Sequence, residues 1–83
     1  MSLTVVFRET ALRNLARIRS EDKDSFIRTG RAVALLADEP WPDGAVAWGT
    51  SGAYRLHADN VRILYEVDYR ANTVYIINIG LVS

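Results

Sequence analysis

Cysteine is missing from this chain altogether. Disulfides, thiolate metal sites and thiol nucleophiles are therefore excluded. Histidine occurs once, at His57, so RNA cleavage by a pair of imidazoles is excluded as well. Long apolar runs are also lacking. The segment after Met1-Ser2-Leu3-Thr4 stays apolar for only a few residues, too few for a signal peptide or a membrane span. The expectation is a cytoplasmic protein with no membrane contact. Net charge is absent too, because ten basic and ten acidic side chains cancel. Neutralising phosphates supplies most of the affinity for nucleic acid, so a neutral domain starts at a disadvantage there. Lysine is nearly absent. Lys23 stands alone, and the other nine basic residues are Arg, the side chain suited to forked contacts with phosphate or carboxylate. A local Arg cluster can act where net charge does not.

What is present is the composition of an ordinary globule, with 49% apolar and 24% charged residues. Eighty-three residues make one domain, 1–83, with no repeats or linkers, and its core must be efficient or be helped by a partner. Leu3–Phe7 is β-branched and aromatic and predicts a strand. From Thr10 to Ile18 apolar residues recur at helical spacing, with Arg13 and Arg17 on a ridge away from Leu12 and Leu15. Ser20-Glu21-Asp22 offers a cap for a second helix over about 21–37. Its expected buried face is Phe26, Ile27, Gly30, Val33, Ala34 and Ala37, with Gly30 allowing close approach to the first helix. Pro40-Trp41-Pro42-Asp43-Gly44 ends that helix in a turn.

Strand character follows. Ala45–Trp48 is a short candidate, and Ala53–Ala58 alternates with Tyr54, Leu56 and Ala58 on one face and Arg55 and His57 on the other. Asp59-Asn60 makes a hairpin into Val61–Asp68. Thr73–Ile79 closes the chain's pattern, and Val74-Tyr75-Ile76-Ile77 is apolar on both faces, as in a central or covered strand. The expected fold is α+β: two helices packed on one face of a mostly antiparallel sheet of about four strands, in the order β-α-α-β-β-β.

Three side chains stand out chemically. Arg62 alternates out of phase with Val61, Ile63 and Tyr65, and is either a phosphate clamp or a surface partner of Asp59 or Glu66. His57 carries the side chain best suited to moving a proton near neutral pH, although a lone strand His is more often structural. Arg55, two residues away, suits a phosphate. Arg13, Arg17, Arg28 and Arg31 either meet RNA or simply form solvated helix faces among acids. Trp41 and Trp48 invite base stacking, while Tyr54, Tyr65, Tyr69 and Tyr75 read by default as core or cross-strand packing. The acids show no ligand-like spacing with His57, and no glycine motif cradles phosphate. No metal or cofactor is implied.

The turn at Pro40–Gly44, the segment Gly52-Ala53-Tyr54-Arg55-Leu56-His57, and Val61-Arg62-Ile63-Leu64-Tyr65-Glu66-Val67-Asp68 together resemble the RelE/ParE toxin superfamily. Val74–Gly80 is similar to its last strand, and the match covers nearly the whole chain. The resemblance implies a toxin of a bacterial type II toxin–antitoxin system, with a cognate antitoxin that wraps it. In the RelE branch it implies metal-independent mRNA cleavage in the ribosomal A site, by basic residues on the concave sheet face. Arg62, Arg55 and His57 fall at those positions. In the ParE branch the target is DNA gyrase. Past Gly80 the family usually carries a basic residue, an Arg and then a Tyr. Leu81-Val82-Ser83 stand there instead, and the roles of that Arg and Tyr are expected to be unfilled. Two functions follow. Arg62 and the Arg-x-His pair favour a ribosome-dependent endoribonuclease. Neutral charge and the missing residues favour a binding protein without chemistry, either ParE-like or a degenerate RelE homologue.

Overall fold

The structure, a computed structural model, describes residues 2–82. The expectation about the chain's close at Ser83 lies outside them. Five strands and two helices follow in the order β1 (Thr4–Phe7), α1 (Glu9–Glu21), α2 (Lys23–Asp38), β2 (Val46–Trp48), β3 (Ala53–Ala58), β4 (Val61–Asp68) and β5 (Thr73–Leu81). The strands form one sheet ordered β1-β5-β4-β3-β2. β1 runs parallel to β5, and every other pairing is antiparallel. The sheet has five strands rather than about four, because the short Ala45–Trp48 candidate pairs with β3 as a true edge strand. The apolar segment of β5 lies between β1 and β4, as its two-faced pattern requires.

The helices pack on one face of the sheet. Their core is made by Ala11 and Ile18 of α1, Val33 and Leu36 of α2, and Leu56, Ile63, Tyr65, Val74, Ile76 and Ile79 of the sheet. Asp22 is the N-cap of α2, its side chain accepting the Ser25 backbone N–H at 3.1 Å. The buried side of α2 is Ser25, Thr29, Ala32, Val33 and Leu36. Ile27, Gly30 and Ala34, expected inside, are exposed. No atom lies within 4 Å of where a Gly30 side chain would start, so Gly30 makes no close approach to α1. Two hydroxyl residues sit inward because their polar groups are satisfied there. The Ser25 hydroxyl bonds to Asp22, Arg28 and Asn60, and Thr29 Oγ1 donates to the Ser25 carbonyl at 2.7 Å. Apolar periodicity cannot see such residues.

Strand β5 carries one irregularity that decides what faces where. Leu64 pairs with Asn78 but Tyr65 pairs with Ile76, so Ile77 is an extra residue opposite β4. Uninterrupted alternation from Val74 and Ile76 would send Asn78 into the core and Ile79 out. The bulge reverses this. Ile79 is 1% exposed, and Asn78 is turned out of the core.

Candidate functional site on the open face of the sheet

The face of the sheet away from the helices carries the residues that alternate out of the core. On β3 these are Arg55 and His57, and on β4 they are Arg62, Leu64 and Glu66. Val46 pairs with Arg55 and Trp48 with Ala53. Directly opposed residues share a face, so Trp48 belongs to this side as well. A hollow of about 270 Å³ opens here, lined by Trp48, Arg55, Arg62, Leu64, Asn78 and Gly80 together with Ile79. The Arg55 guanidinium stands over the Trp48 ring, 4.6 Å from its centroid. A second such pair on the same face sets Arg8 over Tyr75 at 4.4 Å.

Electrostatics leave both arginines of the hollow available. Among the described residues the ion pair within 4 Å is Arg13 with Glu9 at 2.7 Å, on the exposed side of α1. Neither Asp59 nor Glu66 holds Arg62. Arg28 bonds instead to Asn60 Oδ1 at 2.9 Å and to the Ser25 hydroxyl at 3.0 Å, which makes it a structural clasp at the start of α2. Asn78 Oδ1 accepts from Asn14 Nδ2 of α1 at 2.7 Å and from the Ile79 N–H at 2.9 Å.

The three singled-out residues do not all converge. Arg55 and Arg62 line the same hollow. His57 pairs with Arg62 across the strands but is exposed and lines a different depression with Arg28, Arg31, Leu35 and Asp43. That depression forms where β2 has ended and β3 itself is the sheet edge, since β2 pairs only as far as Arg55. Trp41 is away from the hollow, edge-on to Tyr54 at 5.9 Å and Tyr69 at 5.3 Å. Asn78 was not foreseen, and nothing short of knowing the β5 bulge would have found it. Trp48 was seen as an aromatic without a place. The alternation of Val46 and Trp48 is the signal that puts it beside Arg55.

This arrangement of sheet and helices is the fold of RelE/ParE-type toxins. The chain is similar to one in the RelBE2 toxin–antitoxin complex of Mycobacterium tuberculosis, with a TM-score of 0.82 and 21% identity over 98% of this chain and 92% of that one. It is similar to the isolated RelE toxin of E. coli, with a TM-score of 0.81 and 17% identity over 99% of this chain and 86% of that one. It is similar also to the YoeB/ParE toxin of Agrobacterium tumefaciens, with a TM-score of 0.81 and 10% identity over 98% of this chain and all of that one. No protein-family model and no curated protein matches the sequence.

Proposed function

We propose that this chain is the toxin of a type II toxin–antitoxin pair, acting in the cytoplasm as a ribosome-dependent mRNA endoribonuclease. The observation that carries the reading is the pair Arg55 and Arg62, brought by adjacent strands to one hollow with no carboxylate ion-paired to either within 4 Å among the described residues. In that reading a ribose 2′-hydroxyl gives up its proton and attacks the adjacent phosphorus, the bond to the 5′-oxygen breaks, and that oxygen takes a proton from water. Arg62 and Arg55 face the charge that develops on phosphorus. The 2′-hydroxyl proton falls in this reading to His57, which pairs with Arg62 across the strands although it lines the neighbouring depression rather than the hollow. Structures similar to this chain include a complex of RelE with RelB from Pyrococcus horikoshii and of YoeB with YefM from Staphylococcus aureus, which supports a cognate antitoxin as partner. Leu12 of α1 and Ile27 and Leu35 of α2, all exposed, offer that partner apolar surface.

The test is mRNA cleavage on programmed ribosomes. Arg62→Ala is expected to slow cutting about 10²-fold or more, the scale for removing one charge-stabilising donor. His57→Ala should cost about 10²-fold if it moves the proton. Undiminished cutting by His57→Ala alone would return His57 to a structural role. The neutral charge of the chain favours a second reading, a ParE-like gyrase-binding protein without chemistry. Intact message together with trapped, cleaved DNA would establish that one instead.

A further inference from the structure

Trp48 has no structural task that explains it. It sits on a three-residue edge strand whose side chains are all exposed, and it is itself 49% exposed. Among the described residues no other aromatic ring packs on it, whereas Trp41, Tyr54, Tyr65 and Tyr69 form a connected set elsewhere. The Arg55 guanidinium lies over its ring, 4.6 Å from the centroid. A planar cation on an indole presents an extended flat surface, and unpaired bases stack on aromatic rings and on guanidinium planes alike. Across the hollow stands Asn78. The Ile79 backbone N–H can only donate, so it is the amide oxygen of Asn78 that faces it, and the same oxygen takes Asn14 Nδ2. Asn78 lines the hollow, and its Nδ2 is left as a donor without an acceptor among the described residues.

Gly80 completes the space. It pairs with Arg62, lines the hollow, and has nothing within 4 Å of where a side chain would begin. At about 270 Å³ the hollow is at the small end of ligand sites, with room for one nucleotide and not for a duplex.

We propose that this hollow is a subsite for a single unpaired nucleotide beside the phosphate. The Trp48–Arg55 stack is its platform, and Asn78, aimed by Asn14, donates to a carbonyl or ring-nitrogen acceptor on the base edge. Trp48 is a binding residue here, and Asn14 is a positioning residue that acts through Asn78. The inference rests on the nucleic-acid reading of the site and names the part of the substrate it holds.

The experiment uses the full chain carrying Trp41→Phe, so that Trp48 is the sole tryptophan emitter. The probe is a three-nucleotide single-stranded RNA with 2′-O-methyl riboses, which cannot be cut through the 2′-oxygen, alongside the same oligomer lacking one base. The base-bearing oligomer is expected to quench Trp48 and to bind about tenfold tighter than the abasic one, within the range for one stacked base. With affinity read instead from the anisotropy of a fluorescein-labelled oligomer, because these variants carry no indole, Trp48→Leu should erase that difference and Trp48→Phe should keep most of it. Asn78→Ala and Asn14→Ala should both level the preference among bases while leaving the abasic oligomer's affinity unchanged. Gly80→Phe fills the hollow and should abolish quenching while the protein still unfolds cooperatively. Equal binding of the two oligomers, or no quenching at all, overturns the subsite. Ribosomal cleavage is read separately. Cleavage that survives Trp48→Leu with Arg62 still required leaves the nuclease standing and the subsite fallen. Base-dependent quenching without cleavage does the reverse.

Discussion

Tyr65 places an aromatic ring in the core and must still satisfy its hydroxyl. The ring is fully buried, and the hydroxyl donates to the Pro40 carbonyl at 2.6 Å. Burial, with Tyr54 beside it, pushes the phenol up to about 12 from its ordinary value of 10.0. A raised folded value means that stability from this group is complete below about pH 10 and is lost as pH climbs toward 12, because the unfolded chain ionises first. Absorbance titration should therefore show one of the four tyrosines ionising only as the protein unfolds in alkali. Tyr65→Phe should remove that late step and cost about 1 kcal/mol in urea unfolding for the lost hydrogen bond. A wild-type protein whose absorbance titration shows no tyrosine step accompanying unfolding would contradict this. Asp22 has the opposite sign. Its bonds from the Ser25 hydroxyl and N–H hold its carboxyl below the usual 3.8, so its contribution is present above that pH and fades in stronger acid. Ser25 is the hub these groups share, and Ser25→Ala should cost about 1–3 kcal/mol by leaving Asn60 and Arg28 donors without their acceptor.

Helix α2 shows what could and could not be seen at the level of elements. Its extent was legible to within two residues, since a cap in Ser20-Glu21-Asp22 and the Pro40 stop are local chemistry, although Ser20 and Glu21 close α1 and the cap itself is Asp22. Its rotation was not. Ile27, Gly30 and Ala34 make a plausible apolar face, yet the helix turns Ser25 and Thr29 inward because a polar network awaits them there. That network depends on Asn60, 35 residues further along the chain. The strands β3 and β4 were legible to their faces, because Arg55, His57 and Arg62 obey plain alternation. Beyond Ile76 the alternation of β5 breaks at a bulge that no residue type announces, and with it went Asn78. The exposed setting of Gly30 gives a direct check. Gly30→Ala should stabilise the protein by about 0.5–1 kcal/mol, the ordinary helix-interior difference. Destabilisation would mean that Gly30 is a contact after all.

The whole molecule carries no net charge, and in the proposed reading that sets how it would meet RNA. A strongly basic domain attracts phosphate from every side, so its binding collapses steeply with salt. Here Arg13 is spent on Glu9 and Arg28 on Asn60 and Ser25, while Arg55 and Arg62 stand together in the open-face hollow with no ion pair among the described residues. Attraction is then short-ranged, and geometry rather than field selects the ligand. The consequence is measurable with the methylated trinucleotide. Single strands release counterions at about 0.7 per neutralised phosphate, so two arginines predict a slope of log K against log salt of roughly −1.4. Arg62→Ala should bring it near −0.7, and Arg31→Ala should leave it unchanged. A slope several times steeper, falling with each helix arginine removed, would show RNA lying across the helices, and the open-face hollow would lose its claim to be where the strand is held.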